Sequence, residues 1–253
     1  MEVFSFIFGC LIGSFLNVLI IRLPLEKSVV LPRSQCPKCN HLIYWYHNIP
    51  IISYFLLKGK CAYCKEEISK QYVTVELISA VITVFLYIKL SFTLELLFAL
   101  IFFYNLIVLS FIDFKYKAVP DYLLLIAFII SFLVTPLPIL EALKAALMIS
   151  GAFVLLNFIL SFYIQNIKAR VLKDDSLKTQ EALGEGDIPI LAAIGIILGL
   201  KASLIAIFLS SLFAIIPSLY FSYKKKDIQI PYIPYLALGL VTEYFLNLSK
   251  VFS

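Results

Sequence analysis

The stretch VFSFIFGCLIGSFLNVLII, residues 3–21, contains no charged side chain. As a helix it would be about 29 Å long, close to the roughly 30 Å of a bilayer's hydrocarbon core. It lacks a basic start and a small-residue cleavage site, so we expect a retained membrane helix rather than a signal peptide. This stretch therefore indicates a membrane protein.

The composition of the whole chain supports this interpretation. Of 253 residues, 62% are hydrophobic and 15% are charged, and the mean hydropathy is +0.97. A soluble domain is nearer half apolar and a quarter charged, so the composition excludes a soluble enzyme, a nucleic-acid binder and a disordered tail. The formal net charge of +5 is not evidence for DNA binding, because in a membrane protein the location of the charges matters more than their sum. We expect the lipid bilayer, and no nucleic acid, as a partner.

Seven further apolar runs predict an all-α polytopic protein with about eight transmembrane helices. They are residues 73–88, 96–112, 122–140, 145–167, 188–200, 202–223 and 228–249. With both termini outside, 17 of the 21 Lys and Arg lie in inner segments, as the positive-inside rule requires. Joining the short run 188–200 to the next would move the lysines at 224–226 outside, so we keep the two runs separate. Gly9/Gly13 and Gly195/Gly199 each have the G-x-x-x-G spacing typical of closely packed helices.

Four cysteines lie in the polar insert between the first two helices, residues 23–72. They form two C-x2-C pairs: Cys36, Cys39, Cys61 and Cys64. Four thiolates can surround one zinc ion tetrahedrally, and the spacing is close to that of a zinc ribbon. The charge distribution places the insert in the reducing cytosol, where disulfides are rare. A redox pair or free thiols are the alternatives, and Cys10 is expected to be a small buried hydrophobe.

Two carboxylates lie at the same predicted membrane boundary on different helices. Asp113 ends the third span and Asp187 opens the sixth, in the segment GEGD at 184–187. Such a pair can share a proton, one member activating water and the other protonating the leaving group, as in aspartyl proteases. Gly184 and Gly186 leave room for a close approach to Asp187. Alternatively, Asp187 and Asp121 cap their helices and Asp113 is only a boundary charge.

Together these motifs resemble the type IV prepilin peptidase family, whose members are bifunctional leader peptidases and N-methyltransferases. The resemblance covers most of the chain. It is carried by GSFLNV at 13–18, RLP at 22–24, CPKC at 36–39, NIPIISY at 48–54, GKC at 59–61, YVTVE at 72–76, the Asp113 segment with PD at 120–121, GEGD at 184–187 and PYIPYLALG at 231–239. The family often has Lys two residues after the second aspartate, where this chain has Pro189.

The resemblance implies a bacterial inner-membrane enzyme with Asp113 and Asp187 as the catalytic pair. It implies cleavage of prepilins and pseudopilins after a glycine on the cytoplasmic side, followed by methylation of the new N-terminus with S-adenosylmethionine. No G-x-G-x-x-G loop follows a strand, so the residues that bind this cofactor are not predicted. The expected organisation is a first helix at 1–22, the four-cysteine insert at 23–72 and a seven-helix peptidase core at 73–253.

Two other functions fit the residues less well. A small transporter or a structural membrane protein would also have eight helices, and Glu76 and Glu243 are acids near span ends that a carrier could use. Another intramembrane protease of the G-x-G-D type is the third interpretation. The four-cysteine insert, by resemblance, argues against it.

Overall fold

A computed structural model describes residues 1–172, 184–223 and 231–250. In these ranges the regular structure is helical, and the only strand-like pairings are two isolated bridges within the insert. The predicted all-α class is therefore confirmed. The chain forms two compact units, Met1–Tyr116 and Lys117–Ser253.

The first unit is built on three long helices, α1 (Glu2–Arg22), α3 (Lys70–Leu90) and α4 (Leu94–Tyr116), with the short helix α2 (Ile52–Leu56) in the insert. Helices α1 and α3 pack closely because two glycines of α1 face α3. A Cβ atom at Gly9 would lie 2.6 Å from Ala80 Cα, and one at Gly13 would lie 2.7 Å from Glu76 Cα. The predicted role of this glycine pair in helix packing is confirmed.

The second unit comprises α5 (Asp121–Val134), α6 (Ile139–Phe162), α7 (Ala169–Leu172), α8 (Asp187–Tyr223) and α9 (Ile233–Leu246), with a π-helical stretch, Tyr163–Lys168, between α6 and α7. Helix α8 contacts α5, α6 and α9. Small side chains let α6 and α8 approach closely, and a Cβ at Gly195 would lie 3.0 Å from Ala146 Cα. The buried side chains at this contact are Ala142, Ala146, Ala192 and Ile196.

Helix α8 is interrupted at Gly199, which has φ 75° and ψ 173°. A straight helix of its 37 residues would be about 55 Å long, nearly twice the hydrocarbon thickness. The chain changes direction at the break. Ser203 Oγ donates a hydrogen bond to Ile194 O at 3.1 Å, although these two residues would lie about 13 Å apart along a straight helix. Gly199 therefore marks the boundary between the predicted runs 188–200 and 202–223.

Five helical segments in the described ranges are long and apolar enough to cross a membrane, judged by length and composition, and α5 and α9 are shorter apolar helices. The predicted run 122–140 is longer than α5, because Thr135 precedes a proline and adopts an extended conformation with ψ 134°. The following residues then start α6 after Pro138. The lysines at 224–226 lie outside the described residues.

Candidate metal centre and aspartate site

The four cysteines of the insert come together in one cluster. The sulfur atoms of Cys36, Cys39, Cys61 and Cys64 all lie within 4.8 Å of one another, and Cys36 Sγ is 3.8 Å from Cys64 Sγ. A tetrahedron of sulfurs about 2.3 Å from a central ion has edges of about 3.8 Å. The cluster therefore has the size of a four-thiolate metal site, as the spacing predicts.

Both C-x2-C hairpins have the same backbone pattern. In each, the N–H of the first cysteine donates to the carbonyl five residues later: Cys36 to His41 at 3.0 Å and Cys61 to Glu66 at 2.8 Å. The residue after the second cysteine has a positive φ, 55° at Asn40 and 60° at Lys65. Each hairpin is therefore closed by its own local hydrogen bonds and presents two sulfurs from one turn.

The thiols of the second hairpin have unequal acidities. The backbone N–H groups of Cys64 and Tyr63 point at the Cys61 sulfur and lower the pKa of Cys61 to about 7. The N–H of Glu66 lowers the pKa of Cys64, but burial and the other three sulfurs outweigh it and raise that pKa to about 11. Four adjacent thiolates repel one another, so a cation at their centre would be needed for all four to be deprotonated together.

The two histidines lie among aromatic rings of the insert. The His41 ring is 3.6 Å from the Tyr63 ring and the His47 ring is 4.5 Å from the Tyr46 ring, measured between centroids. Neither histidine belongs to the cluster of possible metal ligands found in the described residues. Both histidines therefore pack against the aromatic rings of the insert.

Each candidate catalytic aspartate lies at the helix end that the sequence predicts. Asp113 is in the last turn of α4 and its side chain is buried, with 8% of the residue exposed. Asp187 is the first residue of α8 and is half-buried. Asp113 belongs to the first unit and Asp187 to the second. Asp121, the first residue of α5, is exposed.

A small cavity opens beside Asp187 within the second unit. Its lining is mainly apolar, with one amide, one phenol and the aspartate as polar groups: Phe153, Asn157, Gly184, Asp187, Ile188, Leu191 and Tyr232. Tyr232 is further held by a 3.3 Å hydrogen bond between its hydroxyl and Ser211 Oγ. The sequence gives no signal for Asn157, an ordinary amide in an apolar helix, whereas Tyr232 lies in the segment PYIPYLALG.

The two glycines before Asp187 lack side chains for different reasons. A Cβ at Gly184 would lie 3.5 Å from Asp187 Oδ2, so a larger side chain there would crowd the carboxylate. A Cβ at Gly186 would instead lie 3.2 Å from Val119 Cγ2, so this glycine allows the turn to pack near the start of α5. Pro189 occupies the first turn of α8, where a missing backbone N–H costs little.

Both acids named for a carrier are buried in the structure. Glu76 accepts a 2.7 Å hydrogen bond from the Ile51 N–H and another from the Ser14 side chain. Glu243 accepts a 3.0 Å bond from the Ser249 N–H near the end of the chain. Sequence reasoning noticed both acids but missed these partners, the backbone N–H groups of Ile51 and Ser249 and the side chain of Ser14, which have no pattern of their own.

Comparison with known proteins agrees with these observations. Residues 7–90 match the model of the bacterial peptidase A24 N-terminal domain, and residues 100–219 match that of the type IV leader peptidase family. The chain belongs to the type IV leader peptidase family. Membership makes it a membrane peptidase, and no match supports a transporter or a structural protein.

Several curated members of the type IV leader peptidase family are similar over most of this chain. The proteins named prepilin leader peptidase/N-methyltransferase include one from Aeromonas salmonicida, 33% identical over 92% of this chain and 87% of that protein. Another is from Vibrio cholerae, 33% identical over 94% of both. A third, from Myxococcus xanthus, is 36% identical over 80% of this chain but only 57% of its own length. No solved structure matches the chain.

Proposed function

We propose that this chain is an inner-membrane aspartic endopeptidase that removes the leader peptides of prepilins and pseudopilins after a glycine. The observation that carries the proposal is the position of Asp187, which opens α8 beside a cavity and has no side chain at Gly184 to cover it. The names of the relatives supply the substrate class. The insert and both aspartates face the cytoplasm in this proposal, and both termini lie outside.

The helix ends suggest the starting roles of the two aspartates. Asp187 precedes α8, where the positive end of the helix favours a carboxylate. Asp113 lies in the last turn of α4, where the negative end and burial favour the protonated acid. Asp187 therefore starts as the base and Asp113 as the acid, although any measured titration belongs to the pair.

The reaction then follows the chemistry of paired carboxylic acids. Asp187 takes a proton from water as the water oxygen bonds to the scissile carbonyl carbon, while Asp113 donates its proton to the carbonyl oxygen. When the tetrahedral intermediate collapses, the C–N bond breaks and the leaving nitrogen takes the proton held by Asp187. The former carbonyl oxygen returns its proton to Asp113. The products are a carboxylic acid and an amine, and both aspartates are back in their starting protonation states.

The insert is proposed to hold zinc as a structural ion. Cys36, Cys39, Cys61 and Cys64 are the four ligands, because thiolates at tetrahedral spacing suit Zn²⁺ and close the coordination shell. The second activity in the relatives' names, N-methylation, would use S-adenosylmethionine to supply a methyl group to the new N-terminal amine. The described residues include no phosphate-binding or dinucleotide-type loop that would assign its site.

The test is co-expression of a model prepilin with the wild-type chain and with Asp113→Asn or Asp187→Asn. Each asparagine keeps the shape of aspartate but cannot exchange a proton, so we expect cleavage to fall by at least about 100-fold. The matched control is Asp121→Asn, because Asp121 is also the first residue of a helix but is exposed. The chain with this substitution should cleave the prepilin at the wild-type rate. Immunoblotting measures cleavage, and mass spectrometry of the product N-terminus shows whether a methyl group has been added.

Two results would count against the proposed pair. If both asparagine variants process the prepilin at the wild-type rate, the aspartates have only a structural role. If Asp121→Asn abolishes cleavage and Asp113→Asn does not, the first member of the pair has been misassigned.

A further inference from the structure

The short helix α2 exposes an apolar face. Ile52, Phe55 and Leu56 are 56%, 68% and 76% exposed, and their i, i+3, i+4 spacing puts them on one stripe of the helix. The buried residue of this helix is a serine, Ser53, whose hydroxyl donates to Tyr46 O at 3.1 Å. In a helix beside water the apolar stripe would face inward, so α2 has the opposite polarity.

The start of α2 is hydrogen-bonded to α3, and through Glu76 to α1, at a level inside the helix ends that carry Lys70 and Arg22. The Ile51 N–H, just before α2, donates to Glu76 on α3, and Glu76 also bonds Ser14 on α1. Glu76 is about 9 Å along α3 from Lys70, and Ser14 is about 12 Å along α1 from Arg22. Side chains of a helix lean toward its N-terminus, so the Glu76 carboxylate lies nearer to Lys70 than the Glu76 backbone does. Ile51, whose N–H binds this carboxylate, therefore lies at a depth between Lys70 and Glu76.

This depth corresponds to the boundary between headgroups and acyl chains. Helix α3 has 21 residues and is therefore about 31 Å long, which matches the hydrocarbon core from end to end. An interfacial helix buries its apolar face about 5–10 Å into this boundary region. The exposed stripe of α2 therefore lies at the depth at which an interfacial helix meets the acyl chains.

Two local features hold the segment at this level. Ile51 has φ 62° and ψ −54°, a conformation rare for a β-branched residue, and its N–H is the group that Glu76 binds. After α2 the chain carries exposed lysines, Lys58 and Lys60. Cations at this position would meet the negative headgroups of a bilayer while the apolar stripe meets the acyl chains.

We propose that α2 is an interfacial helix, and that Ile52, Phe55 and Leu56 lie in the lipid leaflet on the side of the insert. This placement fixes the insert to the membrane surface. Cys61 follows only three residues after Lys58, so the four-cysteine cluster is held close to the surface where a membrane-anchored substrate emerges. Glu76 is a positioning residue in this arrangement.

Tryptophan fluorescence in liposomes tests the depth directly, because Trp45 is the chain's only tryptophan. In a Trp45→Phe background, the reporters are Phe55→Trp and, on the same stripe, Leu56→Trp. The matched control is Leu42→Trp, an exposed apolar position, 53% exposed, in the first hairpin. In that hairpin Lys38 pairs with Glu66 of the second hairpin at 3.5 Å, and both side chains are more than half exposed.

Lipids brominated on the acyl chains should quench the F55W and L56W variants several-fold more than L42W, and both stripe reporters should emit at shorter wavelength. Aqueous iodide should show the reverse order. The proposal is overturned if F55W and L56W are quenched by iodide as strongly as L42W. It is also overturned if both are shielded from iodide and from bromine, because protein rather than lipid would then cover the stripe.

Discussion

The four-cysteine insert and the surroundings of Asp187 are assembled in different ways. Each cysteine hairpin is closed by backbone hydrogen bonds between residues no more than nine apart, and the two hairpins repeat one conformation. The cavity beside Asp187 combines α6, the start of α8 and Tyr232 just before α9. The insert therefore depends on local motifs that the proposed metal ion would join, whereas the surroundings of Asp187 depend on how long helices pack.

The largest expected effect concerns the metal. Replacing Cys61 by serine removes one of the four proposed ligands, and structural zinc sites contribute about 10–16 kcal/mol of apparent binding free energy. We expect the C61S chain to be purified without its metal, as measured by plasma mass spectrometry. Cys10→Ser is the control, because this buried cysteine lies outside the cluster. One metal ion per chain in C61S would contradict the four-ligand assignment.

A second, smaller effect is expected at Asp187. In Gly184→Val the branched side chain would crowd the carboxylate, since even a Cβ would lie 3.5 Å from Oδ2. We expect kcat/KM for prepilin cleavage to fall about 100-fold, or about 2.7 kcal/mol. Gly184→Ala should lose less than about tenfold, because 3.5 Å is an ordinary contact distance. Metal content should be unchanged in both, and equal activity of the two variants would show that this side of Asp187 is not used by substrate.

The same difference explains what could be predicted from the sequence. The cysteine cluster follows from the spacing within each C-x2-C pair because each pair forms a local hairpin, and the two hairpins then meet across the insert, with Cys36 Sγ 3.8 Å from Cys64 Sγ. The start of α8 at Asp187 also follows from local signals, two glycines before it and a proline within its first turn. The apolar runs predicted the helical class correctly but not the ends of the helices. At Thr135, for example, the following proline ends α5 before the end of the predicted run.

Other features depend on contacts between distant residues and left no pattern in the sequence. Glu76 was recognisable as an acid in an apolar helix, but its partners are the backbone N–H of Ile51 and the side chain of Ser14. Asn157 lines the cavity beside Asp187 only because α6 passes the start of α8. Gly199 shares a motif with Gly195, yet its φ of 75° makes it a break rather than a simple packing position.

The smallest expected effect is a loss of packing between α1 and α3 that leaves the four-cysteine insert intact. In Gly13→Ala the new Cβ would lie 2.7 Å from Glu76 Cα and would also clash with Ser79 Oγ. Backbone atoms of α3 cannot move aside as a flexible side chain can, so we expect the free energy of unfolding to fall by about 1–2 kcal/mol. Circular dichroism during unfolding by SDS measures this change.

Gly151→Ala is the matched control, because a Cβ there would meet no atom within 4 Å. Alanine is the better helix former, so this variant should be unchanged or more stable by about 0.5–1 kcal/mol. The G13A chain should still bind its metal in full, since the cysteine hairpins are closed by their own backbone. Loss of metal in G13A but not in G151A would show instead that the insert needs the packing of α1 on α3 to form its cluster.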